Sequence, residues 1–132
     1  MGDLGRADLS VVKTGVDILE IQRLEYIIQQ HGERFLSRIY TPQELAEVGS
    51  KTASLAARFA AKEAVSKALG TGIGWIGWHE IEILYGQYHE PVLCLQGNAK
   101  RIAEEMGLSD WSISLSHSHD YAIAVVVAIG AG

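Results

Sequence analysis

The sequence predicts an α+β protein in which a largely antiparallel sheet packs against one long central helix and shorter helices. Three observations lead there. Strand-like and helix-like segments follow one another in a mixed order, without strict alternation. The last two strand-like segments are separated only by a short polar turn, close enough for an antiparallel hairpin. Between the earlier and later segments runs a stretch rich in Ala, Leu, Lys and Glu, about Ala53 to Leu69, with Gly70 placed to end it.

Taken in order, Val11 to Leu19 begins with β-branched residues and reads as a strand. Leu24, Ile27 and Ile28, then Phe35, Leu36 and Ile39, recur at helical spacing with an interruption near Gly32. Thr41-Pro42-Gln43-Glu44 is a helix start: Thr41 can cap, Pro42 suits the first turn and Glu44 completes a capping box. The central helix ends in a glycine-rich loop, Gly70-Thr71-Gly72-Ile73-Gly74. Ile81, Ile83 and Tyr85 alternate with Glu80, Glu82 and Leu84, which predicts a half-buried strand, and Val92 to Leu95 a shorter one. Asn98 to Met106 reads as a capped helix stopped by Gly107. Trp111 to Leu115 and Tyr121 to Ile129 are strands flanking Ser116-His117-Ser118-His119-Asp120.

The chain has 132 residues, 48% of them apolar and 20% charged, a size and balance that suit one soluble domain with its own core. No repeat, low-complexity tract or linker divides it, so residues 1–132 are expected to form a single domain. Membrane helices need runs of about 20 apolar residues, and none is present. The segment 1–10 lacks the apolar core of a signal peptide, so a cytoplasmic location is expected. Cys94 is the only cysteine, which fits a reducing compartment. A net charge of −5 excludes a general nucleic-acid binder and leaves room for a local basic cluster facing an anion.

Four features could carry chemistry. Asp17 puts a carboxylate inside the apolar run Gly15-Val16-Asp17-Ile18-Leu19, where it must be paired, hydrogen-bonded, bound to metal or used as a cap for the next helix. On the central helix, Phe59, Glu63 and Lys67 share one face with Lys62 and Ser66 alongside, and Arg58 lies one turn back. That face is either an ordinary solvated one with an i,i+4 pair or an assembled set of carboxylate, ammonium and hydroxyl groups. The glycine loop follows a helix C-terminus, whose dipole repels anions, and it lacks Gly-Lys-Ser/Thr, so it is not a nucleotide P-loop. Ser116 to Asp120 holds its Ser, His and Asp side by side, unlike a catalytic triad, and offers too few partners for structural zinc. A hairpin turn with polar tips accounts for it.

Together these pieces resemble a known family. Gly15-Val16-Asp17-Ile18 with Glu20-Ile21 and Arg23 is similar to the amino-terminal signature of the acyl-carrier-protein synthase type of 4'-phosphopantetheinyl transferase. Arg58-Phe59-Ala60-Ala61-Lys62-Glu63-Ala64, with Ser66-Lys67-Ala68 and the loop from Gly70 to Gly74, resembles its central signature. Ser114-Leu115-Ser116-His117-Ser118 before Tyr121-Ala122 resembles the last. The likeness runs from about Lys13 to Ile129 and implies the 4'-phosphopantetheinyl transferase fold.

The resemblance also implies an activity: transfer of 4'-phosphopantetheine from coenzyme A to a serine of apo acyl carrier protein, in fatty acid biosynthesis. Asp17 and Glu63 match the family's Mg2+ ligands, and Lys67 is the cation on the transferring phosphoryl group. Glu63 or a metal-bound water accepts the serine proton. Arg58, Lys62, Ser66, Lys67, Gly70, His117 and Ser118 match positions lining the coenzyme A cleft, and Arg23, Arg34 and Arg38 the segment that docks the carrier protein. A homotrimer is implied, with one subunit supplying Asp17 and Glu63 and its neighbour the part of the cleft near His117. A trimeric module that binds coenzyme A or a nucleotide without catalysis is the alternative, and a transferase serving polyketide or peptide synthesis a second. The sequence departs from the family at Trp75 to His79, usually more polar, and at Tyr88-His89-Glu90-Pro91, where a Gly-Lys-Pro turn is common.

Overall fold

The computed structural model describes residues 11–132. The extra segment Met1 to Ser10 lies outside the described residues. The elements run β1 (Val11–Glu20), α1 (Ile21–Ile39), α2 (Pro42–Val48), α3 (Thr52–Ala68), β2 (Ile81–Tyr85), β3 (Pro91–Leu95), α4 (Gly97–Glu105), β4 (Leu108–His117) and β5 (Tyr121–Gly130), with a short 3-10 turn at Trp78–Glu80. Every strand pair is antiparallel, as expected, but the strands form two sheets: β1-β5-β4 and the hairpin β2-β3.

The central helix α3 is buried almost all round. From Leu55 to Leu69 only Phe59, Glu63 and Lys67 escape burial, an i,i+4 stripe along one side. Its other faces are largely alanine, and β5 meets them with Ala122, Ala124, Val126 and Ala128. Small residues on both sides let helix and sheet approach closely. The closest point is Gly15 on β1, where a Cβ would overlap the Ala64 carbonyl oxygen and crowd the Ala68 nitrogen at 3.2 Å. Larger side chains close the remaining core. Val65, Ile76, Ile81 and Ile83 are buried to 1% exposure or less, each worth about 1.5–3 kcal/mol against exposure.

Gly32 interrupts α1 with φ 54° and ψ −136°, a backbone conformation that an L residue rarely adopts. Thr41 caps α2 from its side chain while Glu44 returns the bond to the Thr41 nitrogen, so the capping box is complete. Two expectations need correction. In β2, Glu82 does not face solvent: it is 4% exposed and accepts from the Thr41 hydroxyl at 2.6 Å, because α2 covers that side of the hairpin. Helix α4 begins at Gly97 without a side-chain cap of its own, and Glu80 supplies one from a distance by accepting from the Ala99 nitrogen at 2.8 Å.

The three-stranded sheet turns one face to α3, and no described element covers the other. Val12, Val16 and Ile18 on β1 alternate with the buried positions and are 54–61% exposed. Val125 lies opposite Val16 in the register, and Val127 and Tyr121 extend the same outward-facing apolar surface.

Candidate active site

The Gly15 contact sets up the site. Asp17 lies two residues beyond Gly15 and projects to the same side of β1, toward α3. Glu63 directly precedes Ala64, whose carbonyl abuts Gly15. The two acids are thereby brought together from β1 and α3, 46 residues apart in the chain. Burial pushes the Glu63 carboxyl above its ordinary value, the negative charge of Asp17 pushes it further, and Lys67 opposes both. One turn along the helix, the Lys67 ammonium donates to Asp17 Oδ1 at 2.9 Å and to the Val16 carbonyl at 3.1 Å. Lys67 remains half exposed and Asp17 is mostly covered.

This donor set fits a hard divalent cation. Two carboxylates repel each other in a partly dry place, and a cation between them would relieve that repulsion. Among the described residues no group of three or more His, Cys, Asp or Glu converges on one point. Mg2+ asks for no more protein, since it is commonly held by one or two carboxylates with water and substrate phosphates completing the shell.

A second concavity, about 350 Å3, is lined by Arg58, Tyr85, His89, Pro91, Leu115 and His117 among others. The Arg58 guanidinium lies 4.6 Å from the Tyr85 ring centre, and the His89 imidazole stacks on the same tyrosine at 3.8 Å. A cation over aromatic planes is suited to a planar anionic ligand. Arg58 precedes Lys67 by nine residues, about 13 Å of helix axis, so the two regions are separate within one chain.

Residues 13–126 match the family described as the 4'-phosphopantetheinyl transferase superfamily. The chain belongs to that superfamily. Among its relatives, the holo-[acyl-carrier-protein] synthase of Herpetosiphon aurantiacus is 45% identical over 124 residues, covering 89% of this chain and 98% of the relative. That of Moorella thermoacetica is 47% identical over 120 residues, covering 89% and 93%. In three dimensions the chain superposes on Helicobacter pylori holo-[acyl-carrier-protein] synthase, crystallised in complex with coenzyme A. The TM-score there is 0.80 at 35% identity, covering 87% of this chain and 98% of the other.

Within this superfamily member, Asp17, Glu63 and Lys67 lie together, and Arg58 and His117 share the second concavity. Gly70 is exposed at φ 77°, turning the chain out of α3 with the Thr71 and Gly72 nitrogens bonded back to the Ser66 carbonyl at 3.2 Å. Ser118 shapes the hairpin turn, its hydroxyl accepting from the Asp120 and Tyr121 nitrogens. Arg34 and Arg38 line a concavity on α1 with His31 and Phe35; Arg23 lies on the far side of the Gly32 break.

Two of the residues expected at the cleft are fully buried. Lys62 has no exposed side-chain surface, and its ammonium donates to Glu44 Oε1 (2.8 Å), the Trp78 carbonyl (3.0 Å) and the Ile81 carbonyl (2.6 Å). Ser66 is equally buried and spends its hydroxyl on the Glu63 carbonyl at 2.7 Å. Helical spacing set both beside Glu63; it could not tell that α2 and the 3-10 turn cover that flank. Glu44, Glu47, Tyr85 and His89 were missed as site-shaping residues, and only Glu44 carried any local signal, as a cap.

Proposed function

We propose that this chain transfers the 4'-phosphopantetheine group of coenzyme A to a serine of apo acyl carrier protein, releasing adenosine 3',5'-bisphosphate, in fatty acid biosynthesis. The observation that carries it is the group formed by Asp17 of β1 with Glu63 and Lys67 on the partly exposed stripe of α3. Asp17 and Glu63 would hold Mg2+, which when bound neutralises charge on the coenzyme A diphosphate as the leaving group departs. Lys67 is free to exchange its bond to Asp17 for a phosphoryl oxygen, a swing that its half-exposed side chain permits. The serine oxygen attacks the phosphorus bearing pantetheine, a new P–O bond forms, the bridging P–O bond breaks and the serine proton passes to Glu63 or to water. Arg58 keeps donors in reserve for the nucleotide end: two of its five N–H groups are used, on Ile83 and Glu47.

The second concavity and the acid pair lie apart in one chain, which supports a cleft completed by a neighbouring subunit. The open apolar face of β1 and β5 supports a homotrimer built on that sheet, since exposed patches of this kind commonly mark interfaces. A charge placed there should dissociate it: Val16→Asp is expected to sediment as a smaller species than the parent protein and to lose most activity. The clustered arginines support docking of an acidic carrier on α1. Arg34→Glu combined with Arg38→Glu should raise KM for the carrier about 10-fold or more, leave KM for coenzyme A unchanged and flatten the salt dependence of the rate. The central helix contributes to both hydrophobic clusters, which supports one domain over the length described. No helix among the described residues is long and apolar enough to cross a membrane. A cytoplasmic enzyme is the reading that goes with coenzyme A as substrate and Cys94 as a free thiol.

The deciding assay incubates the protein with coenzyme A, Mg2+ and an apo carrier. Transfer predicts that the carrier gains the mass of one phosphopantetheine group; a non-catalytic coenzyme A-binding module predicts no gain. Running carriers from fatty acid, polyketide and peptide synthesis side by side identifies the pathway.

A further inference from the structure

We infer that the buried Lys62–Glu44 pair is a positioning device for the reaction, holding α3 at the rotation that turns Glu63 toward Asp17. The inference rests on the proposed metal-binding role of those two acids.

The starting point is an open strand edge. In the β2-β3 hairpin, Ile81, Ile83 and Tyr85 direct their backbone groups away from β3, toward α2 and α3. Among the described residues no third strand covers them. Instead, side chains take each group in turn. Lys62 donates to the Ile81 carbonyl (2.6 Å) and Glu44 accepts from the Ile83 nitrogen (2.9 Å). Arg58 then donates to the Ile83 carbonyl (2.8 Å), and Glu47 accepts from the Tyr85 nitrogen (3.0 Å). The two cations stand one turn apart on α3 and the two anions one turn apart on α2. They pair across, Lys62 with Glu44 at 2.8 Å and Arg58 with Glu47 at 3.0 Å. Two ion pairs therefore serve as the missing strand.

Lys62 is the deepest rung and has no remaining freedom. Its three ammonium hydrogens meet three acceptors, and Glu44 uses one oxygen on Lys62 and the Thr41 nitrogen, the other on Ile83. A pair sealed this fully fixes α3 both along and about its axis. Glu63 is the next residue, turned about 100° further round the helix. On its other flank, α3 rests on the Gly15 backbone. The helix is thus clamped from two sides, with Glu63 at the gap between them. A purely apolar contact on the α2 flank would tolerate small rotations; this one does not, because any rotation breaks several buried hydrogen bonds together.

Lys62→Met keeps an unbranched stem of the same reach as the lysine methylenes and removes the ammonium. It leaves Glu44 buried without its cation, so the neutral double variant Glu44→Gln with Lys62→Met separates stability from positioning. In both, Mn2+ affinity of the free enzyme and kcat should fall together by about 10–100-fold, with KM for coenzyme A within about twofold of the parent. The double variant should regain thermal stability without regaining Mn2+ affinity. A folded variant, by circular dichroism, that binds Mn2+ and turns over like the parent overturns the inference. Failure of both variants to fold overturns it too, by making the pair structural only. Glu63→Gln is titrated alongside: undiminished Mn2+ binding there rejects the metal site itself, whatever Lys62→Met does.

Discussion

Glu63→Ala should abolish phosphopantetheine transfer, a loss of at least about 10^3-fold in kcat/KM or about 4 kcal/mol of barrier. Measuring carrier modification by mass spectrometry at saturating coenzyme A checks it. The same change should not lower the melting temperature. Glu63 is ionised at a cost, raised by its burial and by the charge of Asp17, so removing it takes away a repulsion. Its side chain accepts no hydrogen bond from another residue of the described structure. A variant that is dead and as stable as the parent, or more so, is the signature of a group kept for chemistry. Ordinary activity would mean that the Glu63 carboxylate takes no part in the chemistry.

Gly15→Ala should be strongly damaging to both stability and activity. The added methyl meets backbone on α3, the Ala64 carbonyl and the Ala68 nitrogen, and no side chain can rotate aside. Overpacking usually costs about 1–3 kcal/mol, and with rigid backbone on both sides the upper end or beyond applies. The melting temperature should drop by roughly 10 °C, read by calorimetry. Because the same contact brings Asp17 to Glu63, activity should fall further than the unfolded fraction explains, with Mn2+ affinity reduced in the folded remainder. Wild-type stability would show that β1 and α3 have room between them and that another contact sets their separation.

Much of this was legible in the sequence because local rules decided it. The capping box of Thr41 and Glu44, the break at Gly32 and the end of α3 at Gly70 all follow from residues within a few positions of each other. The Phe59–Glu63–Lys67 stripe also came through, since helical period alone puts those residues on one side. What did not come through depended on distant packing. Lys62 and Lys67 both flank Glu63 in the sequence, yet one lies in the interior and the other is half exposed, because α2 covers the first. Glu82 alternates with apolar residues as a surface residue would, and is buried because Thr41, far away in the chain, offers its hydroxyl. The split into two sheets and the charged covering of the β2 edge likewise leave no periodic trace.

Titration of the free enzyme with Mn2+, followed by electron paramagnetic resonance, tests the shared-cation site most directly. The expected result is one ion bound per chain, with binding lost in both Asp17→Asn and Glu63→Gln while each variant keeps the parent fold. Undiminished binding in either variant would mean that the two carboxylates do not hold one ion between them.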